Sequence, residues 1–176
     1  MVARRYSIEG RSKENEVYFA TGADFVRGTA ESVPVRTVLE EPGWSPYCID
    51  PDAHELVFVR LPTSIDPAEA AFYPLTQYRS AEAILTMPLA EVPELARDLP
   101  LAGTIFVFSM GRCGTTLVSH ALNGPQSVCS LSEPGVFDHR PLRALAAQGD
   151  VSELIRDLSR LLFATRSRRA ADTLAI

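Results

Sequence analysis

A short segment near the middle of the chain combines the groups that bind a phosphate ester. Residues 109–116 read SMGRCGTT and contain two glycines, an arginine and two threonines, namely Gly111, Arg112, Gly114, Thr115 and Thr116. Glycine lets the backbone bend so that successive N–H groups surround one anion. Arginine adds a permanent charge with a planar fork of donors, and threonine hydroxyls donate as well. The segment therefore predicts a phosphate-binding turn.

The segment departs from three other motifs of similar appearance. The nucleoside triphosphatase loop needs lysine directly after its last glycine, but this chain has Thr115 there, and Ser109 replaces the first glycine. The glycine pattern of dinucleotide sites also fails at Ser109. A cysteine phosphatase would place arginine six residues after Cys113, where this chain has Ser119. A metal-dependent ATPase or kinase is therefore disfavoured.

The same residues carry a resemblance to a known family. Residues 108–117 (FSMGRCGTTL) resemble the 5′-phosphosulfate loop of sulfotransferases, whose usual core is Arg/Lys-Ser-Gly-Thr-Thr, with Cys113 in place of the serine. Residues 131–134 (LSEP) look like the Glu-Pro segment that follows the second strand in many bacterial members. Glu133 follows Arg112 by 21 residues (133 − 112), similar to the spacing of the catalytic glutamate in the tyrosylprotein sulfotransferase branch. The resemblance covers residues 103–140, under a quarter of the chain.

The resemblance implies sulfuryl transfer from 3′-phosphoadenosine 5′-phosphosulfate to an acceptor hydroxyl or amine. It implies that the loop holds the 5′-phosphate and the leaving oxygen through Gly111, Arg112, Cys113, Gly114, Thr115 and Thr116. Arg112 and Glu133 would be the catalytic residues, Glu133 as general base for the acceptor. No metal is expected, because Arg112 supplies the cation. The family's later Arg and Ser that hold the 3′-phosphate are not found, which predicts that the chain is the N-terminal portion of a longer protein.

Several alternatives stay open at this point. The chain could be a catalytically incomplete phosphonucleotide-binding module, or, less favoured, an ATP-dependent small-molecule kinase. Glu133 could instead cap a turn or pair with an arginine such as Arg140. The three histidines, His54, His120 and His139, are expected to be structural, and Cys113 could be a redox-reactive thiol.

The elements around the loop predict a βαβ unit. Residues 104–109 form an apolar run typical of a parallel strand buried on both faces. Residues 115–123 have helical spacing of apolar side chains, and residues 127–131 predict a second strand. From residue 151 the periodicity predicts a longer helix, capped by Asp150 or Ser152 and followed by a basic cluster, Arg166, Arg168 and Arg169, at a solvated helix end.

The first hundred residues are of a different kind. Ten of the thirteen prolines lie there, which favours short elements joined by turns. Strands are predicted at residues 16–20, 33–39 and 55–61, turns at 41–46 and 50–52, and short helices at 67–72 and 90–99. We therefore predict two domains, residues 1–100 and residues 101–176. The fold class expected is α/β, a P-loop-type three-layer fold with an incomplete parallel sheet, preceded by a β-rich N-terminal region.

Composition narrows the class of protein. The chain has 176 residues, 46% of them hydrophobic and 22% charged, as in globular proteins. Net charge is −5 and there is no basic stripe, which argues against nucleic acid as a partner. No apolar run reaches the ~18 residues of a membrane span. Three cysteines without zinc spacing favour a reducing cytoplasm. The acceptor and the oligomeric state are not readable from the sequence.

Overall fold

The computed structural model describes residues 1–13, 19–101, 103–108, 114–124, 128–165 and 173–176. The strands are β1 Val2–Arg11, β2 Phe25–Pro34, β3 Trp44–Asp50, β4 Glu55–Arg60, β5 Ala83–Pro88, β6 Gly103–Ile105, β7 Val128–Ser130 and β8 Thr173–Ala175. The α-helices are α1 Thr37–Glu40, α2 Tyr73–Ser80, α3 Val92–Ala96, α4 Thr115–Leu122, α5 His139–Ala146 and α6 Ser152–Thr165. Short 3₁₀ helices lie at Gly22–Asp24, Pro67–Glu69, Leu89–Glu91 and Gly135–Phe137.

The larger sheet is antiparallel and has five strands in the order β2-β1-β5-β4-β3. In β4, the four central residues 56–59 are each 0% exposed. A continuous apolar run of this kind is expected where both faces of a strand are covered. By contrast, side chains of β1 alternate between more and less exposed positions, and most side chains of β2 are exposed or half-buried. These two strands form one side of the sheet.

The opposite edge strand, β3, is buried along nearly its whole length. It packs against α6 and against the 3₁₀ helix Gly135–Phe137. The approach is close: a Cβ at position 135 would collide with the carbonyl oxygen of Tyr47 and the side chain of Ala20. Glycine is therefore required there, and the edge is covered rather than left open to another chain.

The smaller sheet is parallel, with three strands in the order β6-β8-β7. Each strand has three residues, and β8 lies in the middle, where Leu174 is paired with Thr104 on one side and Cys129 on the other. Helix α4 connects β6 to β7. Ile176 extends the sheet, since its N–H donates to Ile105 (2.8 Å) and its carbonyl accepts from Val107 (2.6 Å).

One hydrophobic core spans both sheets. Helix α6 contributes Leu158, Leu161 and Leu162, each at most 1% exposed, and packs against β3, α1 and α3. Cys129 and Leu131 from the parallel unit belong to the same cluster. The division at residue 100 remains a prediction.

The predicted fold class is wrong. The principal sheet is antiparallel and belongs to the first hundred residues, so the molecule is not a three-layer fold built on a parallel sheet. The prediction missed β1, whose charged residues hide its pairing between β2 and β5. The apolar run 104–109 does not form a long strand, because among its described residues only Thr104 and Ile105 lie in β6.

Burial of that run on both faces is also wrong, since Ile105 is 53% and Phe108 91% exposed. The strand predicted at 33–39 ends at Pro34, and Thr37–Glu40 is helical. Residues 16–18 of the strand predicted at 16–20 and the basic cluster at 166, 168 and 169 lie outside the described residues. The strand predicted at 55–61 is confirmed as Glu55–Arg60. The helices predicted from 115 and from 151 are confirmed as Thr115–Leu122 and Ser152–Thr165.

Candidate functional site

A cavity of about 570 Å³ opens at the carboxyl ends of the three parallel strands. Its walls include residues 106–108 after β6, residues 131–135 after β7, Ile176 after β8, and one side of α4. Ligands of open parallel sheets bind at this end, where connecting segments diverge. The volume lies within the roughly 300–1,000 Å³ of small-molecule sites. The described lining residues thus enclose a ligand-sized space at the start of α4.

Helix α4 begins beside this cavity. Gly114 has φ +90° and ψ +17°, a left-handed conformation that glycine adopts without strain. Its carbonyl accepts the first helical bonds, from the N–H groups of Leu117 (3.0 Å) and Val118 (3.2 Å). The N–H groups of Thr115 and Thr116 precede these and have no partner within the helix. Thr115 lines the cavity, so the positive end of the helix dipole is at its wall.

Three predicted loop residues, Gly111, Arg112 and Cys113, lie outside the described residues. Within the part of the lining that the structure describes, the charged side chains are the carboxylates Glu133 and Asp138, with neither arginine nor lysine.

Glu133 lines the cavity and has a left-handed backbone, with φ +55°. This conformation is unfavourable for a residue with a Cβ, at a cost of roughly 1–2 kcal/mol. Neighbouring contacts hold it, since the carbonyl of Ser132 accepts from the N–H of Tyr73 at 3.1 Å. The exposed Glu133 carboxylate makes no hydrogen bond or ion pair with any described residue, and is therefore open to a ligand.

The alternative pairing of Glu133 with Arg140 is not formed. Arg140 instead pairs with Asp138 at 3.1 Å, and Asp138 also accepts from the Arg140 N–H as the cap of α5. The guanidinium of Arg140 lies 3.4 Å from the centre of the Phe19 ring. Arg140 is thus held by a carboxylate and a ring, which leaves Glu133 unpaired within the described structure.

Polar side chains tie α4 to β7 along one wall. The hydroxyls of Ser119 and Ser130 lie 2.9 Å apart. Asn123 accepts from the Ser130 N–H (2.6 Å) and donates to its carbonyl (3.0 Å) and to that of Ala68 (2.7 Å). These bonds fix the helix against the strand, and with it the position of Thr115 relative to residues 131–135.

The aromatic side chains of the cavity were not identified from sequence. Five phenylalanines line it: Phe19, Phe72, Phe106, Phe108 and Phe137. Phe106 meets Phe137 edge-on at 5.2 Å and stacks on Phe108 at 6.3 Å. Phe19 and Phe72 come from the first hundred residues, and no local sequence pattern predicts that they line this cavity. Trp44, Tyr47 and Tyr73 are at most 1% exposed and belong to the core.

The histidines differ in where they lie. His139 lines the cavity, with its side chain 74% exposed and its Nδ1 3.4 Å from Asp138. His120 is exposed on α4 and is not among the described lining residues. His54 occupies a turn with φ +51°. Burial raises the pKa of the Tyr47 and Tyr73 phenols and of the Cys48 thiol, so these groups stay protonated and unreactive.

No family model matches this chain, and comparisons with curated proteins and with solved structures also give no match. In the described ranges, no helix has the length and apolar character needed to cross a membrane. The same ranges contain no cluster of three or more histidine, cysteine or acidic side chains placed to hold a metal ion.

Proposed function

We propose that the protein is a sulfotransferase, or the N-terminal part of one, that uses 3′-phosphoadenosine 5′-phosphosulfate as donor. The observation that carries the proposal is the shared cavity of Thr115, at the start of α4, and the unpaired Glu133. One supplies helix N–H groups for an anion, and the other a carboxylate for an acceptor hydroxyl. Hydrogen-bond donors for the leaving group and a base for the acceptor, lining one cavity, are what sulfuryl transfer requires.

The donor's 5′-phosphate is assigned to the start of α4. The N–H groups of Gly114, Thr115 and Thr116 and the guanidinium of Arg112 would bind its oxygens. The fit is supported at Gly114, where a Cβ would meet no atom of the described residues within 4 Å. The proposed donors include a guanidinium, so no divalent cation is required.

The reaction is a displacement at sulfur. Glu133 accepts the proton of the acceptor hydroxyl, and the oxygen attacks the sulfur opposite the bridging oxygen. The S–O bond to the 5′-phosphate breaks, giving the sulfate ester and 3′-phosphoadenosine 5′-phosphate. Charge grows on the leaving oxygen, so donors fixed at that point stabilise the transition state more than the ground state.

Binding of the donor product is the first test. 3′-Phosphoadenosine 5′-phosphate at a hundred-fold excess over its Kd should stabilise the fold by about 2.7 kcal/mol in thermal unfolding. ATP with Mg²⁺ should not. Arg112→Ala should abolish this stabilisation. Arg36→Ala is the control and should retain it, because Arg36 is an exposed residue directly before α1 that pairs with Glu40. A shift with Mg·ATP alone would instead support a kinase.

Transfer is tested separately. Arg112→Ala should raise the barrier by about 3–4 kcal/mol, the usual effect of losing one such donor. Glu133→Gln should lower turnover by roughly 10²–10⁴ and leave product binding intact. Normal turnover of Glu133→Gln would remove its role as base. Binding without turnover in the unaltered chain would make it a phosphonucleotide-binding module.

A further inference from the structure

A second, smaller cavity lies where the start of β3 meets α1 and the end of α6. Its walls include Leu39 of α1, Trp44 and Ser45 of β3, and Ala164 and Thr165 of α6. None of its described lining residues belongs to the cavity at the parallel strands. We propose that this second cavity binds a small neutral carbonyl compound, whose oxygen accepts a hydrogen bond from Ser45. This site goes beyond the proposed function and does not depend on it.

The size and the apolar walls of this cavity suit a ligand with one small ring. Its volume is about 260 Å³. An apolar cavity of roughly 150 Å³ takes one benzene, and drug-sized sites begin at roughly 300 Å³. Val38, Trp44 and Leu61 line the space and are each at most 4% exposed, so these walls are fixed by the core. A ring of five or six atoms with one small substituent is matched to this volume.

Ser45 supplies a hydrogen-bond donor for such a ligand. Its hydroxyl oxygen accepts from Nε2 of Gln77 at 3.2 Å and shares a hydrogen bond with the hydroxyl of Tyr73. Each hydroxyl carries one hydrogen, and the bond between the two hydroxyls uses only one of them. Because the phenol is the more acidic donor, Tyr73 donates to Ser45. The hydrogen of Ser45 is then left without an acceptor among the described residues.

Burial makes this unused donor costly. Ser45 is 3% and Gln77 0% exposed, and Oε1 of Gln77 also has no hydrogen-bond partner among the described residues. A buried polar group without a partner costs free energy, which a ligand's acceptor can recover. The other hydroxyls of the described lining differ, since Thr165 donates to the carbonyl of Leu161 at 2.7 Å and Thr63 is exposed. Ser45 is therefore the anchoring point for the ligand.

Charge favours a neutral ligand over an anion. Glu41 is the charged residue of the described lining, which contains neither arginine nor lysine. Its carboxylate accepts from the guanidinium of Arg5 at 3.3 Å and from the indole N–H of Trp44 at 3.3 Å. A carboxylate on the ligand would meet Glu41 without a cation from the described lining. A ketone, ester or amide presents an acceptor to Ser45 and avoids this repulsion.

Trp44 reports occupancy of this cavity, because it lines the space and is the only tryptophan of the chain. The test is an NMR titration of the isotope-labelled full chain, in which the single indole N–H signal is followed. Cyclohexanone is the neutral probe, and cyclohexanecarboxylate has the same ring with a charge. We expect saturable shifts with cyclohexanone and at least about ten-fold weaker binding of the carboxylate. No shift at about 10 mM cyclohexanone, or equally tight binding of the carboxylate, would overturn the proposal.

Removal of the Ser45 hydroxyl tests the hydrogen bond. Ser45→Ala should weaken cyclohexanone binding about five-fold, the usual effect of losing one hydrogen bond. Methylenecyclohexane has the same shape with a CH₂ group in place of the carbonyl oxygen, so its affinity should not depend on Ser45. Equal effects of the variant on the two compounds would overturn the role of Ser45 as donor.

A filled cavity tests the location of the site and keeps the proposal falsifiable if Ser45→Ala does not fold. Ala164 lines the cavity from the exposed end of α6, so Ala164→Phe should fold, which circular dichroism checks, and should abolish the cyclohexanone shifts. Ala146→Phe is the matched control, because Ala146 is exposed at the end of α5 and is not in the described lining. Undiminished binding in Ala164→Phe would overturn the assignment of the ligand to this cavity.

Discussion

The two sheets of this protein differ in how much of their apolar surface they bury. In the antiparallel sheet, the four central residues of β4 are fully buried, and β3 is covered although it is an edge strand. In the parallel unit, each strand has three residues and α4 has no buried residue. Leu117 is 74% and Phe108 91% exposed.

This difference suggests that different parts of the molecule provide folding stability and ligand binding. Burial of apolar area is the main favourable term in folding, so most of the folding free energy is expected from the antiparallel sheet and the helices packed on it. The parallel unit retains exposed apolar side chains, and the cavity lies among them. Binding regions are commonly drawn from the less stable parts of a structure. We therefore expect the antiparallel sheet to supply most of the stability and the less tightly packed parallel unit to supply the binding site.

The two parts meet at a few close contacts. Gly135 packs on Tyr47 of β3, and the N–H of Tyr73 donates to the Ser132 carbonyl. Both contacts lie next to Glu133. The scaffold therefore sets the position of the candidate base, which explains why a residue with a left-handed backbone is maintained there.

The largest expected effect is in the scaffold core. Phe58→Ala removes a fully buried ring from β4 and should destabilise the fold by about 3–5 kcal/mol. Leu117→Ala on the exposed face of α4 should change stability by no more than about 0.5 kcal/mol. Urea unfolding measures both. Similar losses in the two variants would contradict the comparison.

The junction should be the next most sensitive. Gly135→Ala places a methyl group against the Tyr47 carbonyl and the Ala20 side chain, and overpacking of this kind costs about 1–3 kcal/mol. Gly149→Ala is the matched control, because a Cβ at 149 would meet nothing within 4 Å. A tolerated Gly135→Ala would show that the parallel unit is not held against β3 as described.

High pH should weaken the scaffold. Burial raises the pKa of Tyr47, with Asp24 adding to the effect, and burial raises that of Tyr73 although Ser45 opposes it. A raised pKa means that the folded state holds the proton more tightly. Its contribution is fully present below the unfolded value of about 10 and is lost as pH rises above it. Urea midpoints should fall above about pH 10, and less so in Tyr73→Phe.

The smallest effect is expected at the start of α6. Hydrogen bonds from the Ser152 hydroxyl and N–H lower the pKa of Asp150. A lowered pKa contributes stability above the unfolded value of about 3.9, which is lost as pH falls through the folded pKa. Asp150→Asn should therefore reduce stability slightly at neutral pH and flatten its decline in acid. An unchanged acid profile would remove this role.

Local signals identified some elements, and long-range pairing hid others. The apolar run of β4 and the helical spacing of α4 and α6 depend on neighbouring residues, so their positions were predictable. The central strand of the parallel sheet, β8, is three residues long, and four of the ten residues of β1 are charged, so neither has a usable pattern. The fold class was missed for that reason.

The candidate site divides in the same way. The glycine and threonine pattern of the loop predicted Thr115, and the Glu-Pro segment predicted Glu133. Both residues line the cavity. Phe19 and Phe72 are brought to it by the fold, and the N–H of Tyr73, next to Phe72, donates to the Ser132 carbonyl of the cavity wall. Contacts between segments so far apart in sequence have no local signature, so the apolar wall could not be predicted.

The most direct test of the account is a titration of the isotope-labelled chain with 3′-phosphoadenosine 5′-phosphate, followed by amide NMR. We predict that the largest shift changes fall on the N–H groups of Gly114, Thr115 and Thr116, and that Arg112→Ala abolishes them. Saturable shifts confined to other parts of the molecule, or no shifts at about 1 mM nucleotide, would contradict an anion site at the start of α4.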